Sequence, residues 1–266
     1  MESLAELAAH VDALGSQTAQ GEPYAMRRGG TVALHLDGCC VQSKMRLSDP
    51  NQLVLGHTQT MMGFLIFNST PERIAMIDLG GGSLAKYCYR FLPNSSISVI
   101  ENNAKVVALR EHFFIPADDH RFHVTLRDGA EFVRRSTNQY DVLLVDGFDG
   151  TGQPEVLCSQ AFYDDCFNAL CPDGILTVNL PGTNAANRDC IARIKQSFQG
   201  AVTVVNAHES TNAIVFGCKG GLLDLPDYVL LGRLRGLACD QTVDLATTVQ
   251  RILLNRRLRV AAPTVK

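Results

Sequence analysis

"IAMIDLGGGSLAKY", residues 74–87, is an apolar run that ends on Asp78, breaks into three glycines and resumes with a helix-like pattern. A strand, a glycine-rich loop and a helix in this order usually wrap a nucleotide in an open α/β sheet. The alternation continues downstream of Tyr87. Candidate strands lie at 74–78, 96–101, 122–128, 140–146 and 175–180, with candidate helices at 83–92, 103–113, 129–137, 159–170 and 185–198. Apolar strands alternating with amphipathic helices predict a parallel sheet covered on both faces, an α/β doubly wound fold. Two further strands, "AVTVVN" (201–206) and "NAIVFGCK" (212–219), are close enough in sequence for an antiparallel hairpin at the sheet edge. The stretch 225–255 reads as helical.

Upstream of residue 74 the pattern is different. Residues 1–15 carry apolar side chains at helical spacing. Between Glu22 and Leu47, short alternating runs are broken by "RGG" and "LDG", which is turn chemistry and predicts a small antiparallel β unit. "NQLVLGHTQTMMGFLIFN" (51–68) is long and apolar enough for a helix that packs this unit onto the body. The division expected is therefore 1–68 and 69–266.

Composition narrows the class. Hydrophobic residues make up 46% and charged residues 19% of the 266, with a formal net charge of −3. This is a globular composition without the basic excess of a nucleic-acid or anionic-membrane binder. "RRLR" (256–259) reads as a solvated tail and not a binding site. No run approaches the roughly 18 apolar residues that span a bilayer, and the acidic, amphipathic start lacks the basic region and cleavage site of a secretory signal. Nine cysteines are scattered without a CxxC or a Cys/His spacing suited to zinc. Reduced thiols in the cytoplasm and no metal are the expectation.

Four consecutive strands finish on an acid: Asp78, Glu101, Asp128 and Asp146. Each could cap the helix that comes after it, but four in register rim the crevice where such sheets bind ligands. Gly80, Gly82 and Ala85 also satisfy the dinucleotide pattern GxGxx[G/A], with Glu101 at the distance of a ribose contact. A pyrophosphate fits such a rim poorly. At about 4 Å and an effective dielectric near 20, each like-charge pair costs on the order of 4 kcal/mol. The rim suits a sulfonium nucleoside, S-adenosylmethionine or its decarboxylated form. Glu101 would accept from the ribose hydroxyls and Asp128 from the adenine amine, while the glycines let the backbone approach the aliphatic chain. In "YDVLLVDGFDGTGQPEVLCSQAFYDD", Asp146 and Asp149 flank a Gly-Phe turn, a carboxylate pair able to bind an ammonium and take its proton. Residues 147–153 are glycine-rich enough for a lid.

The motifs "LHLDG..VQS", "LGGGS", "VIENN", "RDGAEFV", "YDVLLVDGFD" and "FYDDCFNALCPDGILTVNL" together resemble the spermidine synthase (polyamine aminopropyltransferase) family from about Thr31 to Leu180. The resemblance implies a small N-terminal β domain, a Rossmann-like domain of the S-adenosylmethionine methyltransferase type, and a homodimer. It implies aminopropyl transfer from decarboxylated S-adenosylmethionine, a co-substrate and not a resident cofactor, to a small-molecule amine. Gln42, Gly80, Gly81, Gly82 and Ser83 then belong to the donor site, Glu101 to its ribose, and Asp128 with Gly129 to its adenine. Asp146 is the general base, and Asp149 and His57 hold the acceptor. Two departures stand out. Ser83 replaces the acid of the family's GGGDG that grips the donor ammonium, and Gly56-His57-Thr58 replaces a Tyr-His-Glu element. A methyltransferase, a catalytically idle nucleoside-binding homologue and a dinucleotide oxidoreductase stay open as alternatives.

Overall fold

A computed structural model describes residues 22–36, 41–147, 154–182, 185–240, 243 and 245–261. The expected helix at 1–15, the Asp37-Gly38 turn, Asp149 and most of the glycine-rich stretch after Asp146 lie outside the described residues.

β1 (Tyr24–Arg28), β2 (Thr31–His35) and β3 (Val41–Arg46) form an antiparallel three-stranded sheet in chain order. The turn between β1 and β2 is the Gly29-Gly30 pair, both at positive φ. The main sheet contains β4 (Arg73–Ile77), β5 (Ser96–Glu101), β6 (Phe122–Leu126), β7 (Tyr140–Val145), β8 (Leu170–Leu180), β9 (Val202–Asn206) and β10 (Ala213–Cys218), in the order β6-β5-β4-β7-β8-β10-β9. The first five pair in parallel, and β10 runs antiparallel between β8 and β9. From β4 the chain winds outward to β5 and β6, then returns to β7 on the other side. The carboxyl ends of β4, β5 and β7 therefore meet at the switch point, where crevices open in such sheets.

The period of two in the strands sorts their side chains between two cores. Ile74, Met76, Val142, Leu144 and Ile175 face one cluster, which also takes in Val32, Leu34 and Met45 of the small sheet. Ala75, Ile77, Leu143, Val145, Leu176 and Val178 face the other. The N-terminal unit thus shares one core with the main sheet and overhangs its switch point.

Several elements depart from expectation. The helix expected over 51–68 is two short ones, α1 (Gly56–Met61) and α2 (Phe64–Phe67). The break falls at Gly63, where a Cβ would lie 2.8 Å from Thr248 and 2.9 Å from Phe216. After α3 (Ser83–Phe91), the helix expected over 103–113 is α4 (Ala104–Ala108) and then a 3₁₀ turn, Arg110–Phe113, which Phe114 ends at φ 52°. α5 (Gly129–Arg134), α6 (Gln160–Ala169) and α7 (Ala185–Ser197) lie where the pattern puts them, and β8 begins at Leu170, ahead of its expected start. The helical C-terminal stretch is two helices, α8 (Asp227–Asp240) and α9 (Ala246–Ala261).

Candidate active site

The loop after β4 is shaped by its backbone. Asp78, Gly80 and Gly82 all have positive φ, 81°, 49° and 66°. Such a conformation is uncommon for an aspartate, and two hydrogen bonds hold it. The Asp78 N–H donates to the Ile100 carbonyl, and Asp78 Oδ1 accepts from the Gly80 N–H, both at 2.8 Å. Gly81 and Gly82 are glycines for lack of space. A Cβ on Gly81 would lie 2.6 Å from Ser43 Oγ, and one on Gly82 2.5 Å from Ile115 Cγ1. Ser43 in turn reaches Ser83 Oγ at 3.3 Å, so β3 of the small sheet closes over the loop.

Glu101 is 4% exposed. Its Oε2 accepts from the Leu79 N–H at 3.0 Å and its Oε1 from the Asn103 N–H at 2.8 Å. The carboxylate is therefore locked against the loop by main-chain donors. Asp146 comes directly after β7 and is held by Asn179 of β8, whose Nδ2 donates to Oδ1 at 2.7 Å. His57 Nε2, in the first turn of α1, stands 3.9 Å from Asp146 Oδ2. Gly56 is needed just before it, because a Cβ there would lie 1.7 Å from the His208 carbonyl oxygen.

Asp78, Glu101 and Asp146 line one cavity of about 720 Å³, together with Gln42, Ser43, His57, Gly80, Gly81, Ser83, Asn179 and Asn212. No lysine or arginine is among its described lining residues; His57 is the sole group there able to carry positive charge. The electrostatic consequence is direct. Burial pushes the Asp78 carboxyl well above the usual range, and the neighbouring Glu101 and Asp146 push it further, against the Gly80 N–H. Burial also raises Asp146, while His57 and Asn179 pull it down. A cavity of this kind disfavours anions and is relieved by a cation.

Not every expected residue reaches it. Gly82 supports the loop from behind. Asp128 Oδ1 caps α5 by accepting from the Glu131 N–H at 2.7 Å, and Asp128 lies outside the cavity lining. Gly129 is packed on Ile77, 2.5 Å from where its Cβ would be. Sequence reasoning missed Ser43, Asn179 and Asn212. The sole local signal was an asparagine within the apolar run "ILTVNL". Among the described residues no three His, Cys, Asp or Glu side chains are grouped to hold a metal ion, and no helix is long and apolar enough to cross a membrane.

Fold and cavity first define a class: a Rossmann-like sheet with an acidic crevice at its switch point. The spermine/spermidine synthase domain matches residues 56–212, and the chain belongs to that family. The polyamine aminopropyltransferase of Chromobacterium violaceum is 34% identical over 192 residues, 72% of this chain and 74% of the relative. That of Neisseria meningitidis serogroup B is 35% identical over 189 residues, covering 70% and 72%. Among solved structures, a spermidine synthase in complex with the transition state analogue AdoDATO superposes with a TM-score of 0.69 at 18% identity, covering 89% of this chain and 88% of that one. Human methyltransferase-like protein 13 in complex with SAH gives 0.58 at 22% identity, covering 80% and 95%. At these identities the superpositions bear on the fold alone.

Proposed function

We propose that this protein is an aminopropyltransferase of polyamine biosynthesis, moving an aminopropyl group from decarboxylated S-adenosylmethionine to an amine. The observation that carries the reading is the trio Asp78, Glu101 and Asp146 on a cavity whose described lining has no lysine or arginine. The donor bears a sulfonium and an ammonium, and both are drawn to such a site. An intact S-adenosylmethionine would add a carboxylate to it.

In this reading Glu101, already fixed by two main-chain donors, accepts from the ribose hydroxyls with its remaining lone pairs. Asp78 takes the ammonium that the family's missing acid would hold, since Ser83 is tied to Ser43 and carries no charge. Gln42 and the Gly80–Gly81 backbone line the donor's path. The family resemblance alone gives Asp128, outside the described lining and with one oxygen free of its capping bond, the adenine amine, and Gly129 gives α5 its close seat on Ile77. His57, with Asp149, holds the acceptor. The acceptor nitrogen attacks the carbon next to sulfur, and the C–S bond breaks with its electron pair leaving on a now neutral thioether. The nitrogen's proton passes to Asp146, whose raised pKa makes it a stronger base than an exposed aspartate. A cytoplasmic homodimer completes the reading, on the family resemblance alone.

A methyltransferase is the second reading, favoured by Ser83 and by an aspartate at the end of β4. Incubation of purified protein with each donor, labelled in the transferred group, and a panel of amines decides between them. Aminopropyl products are expected; methyl transfer without aminopropyl transfer would replace the first reading with the second.

A further inference from the structure

On the face of the sheet covered by α6 and α7, three groups converge that the transfer reaction does not use. Cys158 ends the 3₁₀ turn Glu155–Cys158, Cys190 lies on the buried side of α7, and Tyr163 is in the first turn of α6. The two thiols are in hydrogen-bonding contact. One turn beyond Cys190, Arg193 Nη1 donates to the Cys158 carbonyl at 2.7 Å, which pins the turn to the helix. The Tyr163 hydroxyl, buried and without a partner in hydrogen-bond geometry, lies beside both sulfurs. Cys158 is half-buried and so reachable from solvent, whereas Cys190 is buried.

Both segments lead to the Asp146 end of the cavity. Leu157 Cδ1 fills the space beside Gly147, 2.9 Å from where a Cβ would be, and Gly147 is the residue next after Asp146. On the other side Asn187 Nδ2, one turn before Cys190, donates to the carbonyls of Pro181 and Gly182 at 2.9 and 2.7 Å. Pro181 lines the cavity. The segments that carry the two sulfurs thus each touch a wall beside Asp146.

We propose that Cys158 and Cys190 are an oxidation site, a thiol pair that hydrogen peroxide closes into a disulfide and that a dithiol reopens, slowing turnover while closed. One thiolate attacks the peroxide oxygen, the O–O bond breaks, and water leaves after protonation, so that a sulfenic acid is formed. The neighbouring thiol then attacks that sulfur and expels the second oxygen as water. Two thiols lose two electrons in all, and one peroxide is reduced to two waters. Within the pair Cys190 is the more acidic thiol: donation from Cys158 lowers its pKa most, against the effect of burial, with Tyr163 and Arg193 adding to it, whereas the same contact and desolvation push Cys158 up. The buried Cys88 and Cys166 thiols, by contrast, are pushed up by desolvation.

The bond itself is independent of the proposed function; its effect on turnover rests on that reading. The test exposes the full chain to hydrogen peroxide at a few equivalents, blocks remaining thiols with iodoacetamide and maps peptides by mass spectrometry without reductant. A linked Cys158–Cys190 peptide that vanishes with dithiothreitol is expected, with aminopropyl transfer falling several-fold and recovering on reduction. Cys158→Ser and Cys190→Ser should each transfer at the untreated rate and lose peroxide sensitivity. Alkylation of both thiols after full peroxide treatment would overturn the pair. Stoichiometric disulfide with unchanged turnover would overturn the link to Asp146. A protein that forms the bond but has never shown aminopropyl transfer refutes the proposed function and leaves the thiol pair standing.

Discussion

Asn179 Nδ2 donates to Asp146 Oδ1 at 2.7 Å, and Asn179 Oδ1 accepts from Asn212 Nδ2 at 2.8 Å. The second bond fixes the first. An amide has one donor and one acceptor end, and Asn212 occupies the acceptor end, so Asn179 must present its NH₂ to the carboxylate. Oδ1 is thus committed, and Oδ2, on the His57 side, is the atom left to take a proton. Asn179→Leu removes a bond that holds the Asp146 pKa down. The acid limb of the transfer rate should therefore move to higher pH, with turnover near neutrality reduced by about 10-fold and partly restored as pH rises. Asn212→Ala should move it in the same direction by less. Asp146→Asn should cost roughly 100-fold or more at every pH, the scale of a removed general base, with donor affinity little changed. A pH–rate profile for each variant checks this; an unshifted limb in Asn179→Leu would leave the relay without a function.

Donor binding should release protons. In the unliganded protein the Asp78 carboxyl titrates well above its ordinary 3.8 because of burial, Glu101 and Asp146. The folded state then holds a proton that the unfolded chain has lost, so stability contributed by Asp78 is present below that range and declines as pH rises. A cationic ligand reverses the balance by favouring the ionised form. Calorimetric titration in buffers of different ionisation enthalpy should show net proton release to buffer on donor binding, diminished in Asp78→Asn. The same variant should raise the unliganded melting temperature at pH 7 while weakening the donor. Glu101→Gln should weaken it too, by a few kcal/mol at most, as for a lost charge-assisted bond.

The Gly56-His57-Thr58 departure has a packing cause that can be tested. The loop from Ala207 to Asn212 occupies the space over Gly56, with the His208 N–H donating to Thr60 Oγ1 at 3.0 Å. That loop also delivers Asn212 to the cavity. Restoring the family's tyrosine by Gly56→Tyr should therefore not restore its contact. It should displace the loop and destabilise the fold by about 1–3 kcal/mol, the scale of overpacking, and Gly56→Ala should already show much of the loss. Chemical denaturation measures this; a stable Gly56→Tyr protein would show that the loop gives way freely.

The central strands β4, β7 and β8 were legible in the sequence because each buries both faces over most of its length and so leaves an apolar run, whereas the edge strand β6 is largely exposed. Asp78, Glu101 and Asp146 were legible as acids ending such runs. The cap on α5 shows the limit, since Asp128 ends its strand in the same way yet lies outside the cavity lining. Asn179 and Asn212 were hidden because their meaning is a contact between β8 and the end of the β9–β10 connection, which no local pattern records. The need for glycine at position 63 was hidden for a related reason: the side chains that leave it no room, Thr248 and Phe216, lie far along the chain.

Lys86, one turn into α3, is 1% exposed. Its Nζ donates to the Phe113 carbonyl at 2.7 Å and contacts Met45 Sδ at 2.9 Å, with no carboxylate paired to it among the described residues. Desolvation lowers its pKa from 10.5 to about 8. That gap corresponds to about 3 kcal/mol against the charged form. Below about pH 8 both folded and unfolded chains carry the proton, and the folded state bears the full cost. Between about 8 and 10.5 the folded state loses the proton that the unfolded chain keeps, so the cost fades as pH rises. Lys86→Met keeps the volume and removes the charge, but leaves the Phe113 carbonyl unpaired, which costs about 1–3 kcal/mol. A net gain of about 1 kcal/mol at pH 7 is expected, shrinking and changing sign towards pH 10. Urea unfolding of both proteins across that range tests it, because other titrating groups cancel in the difference; a difference that stayed constant with pH would mean that the buried amine keeps its proton throughout and that its pKa is not lowered.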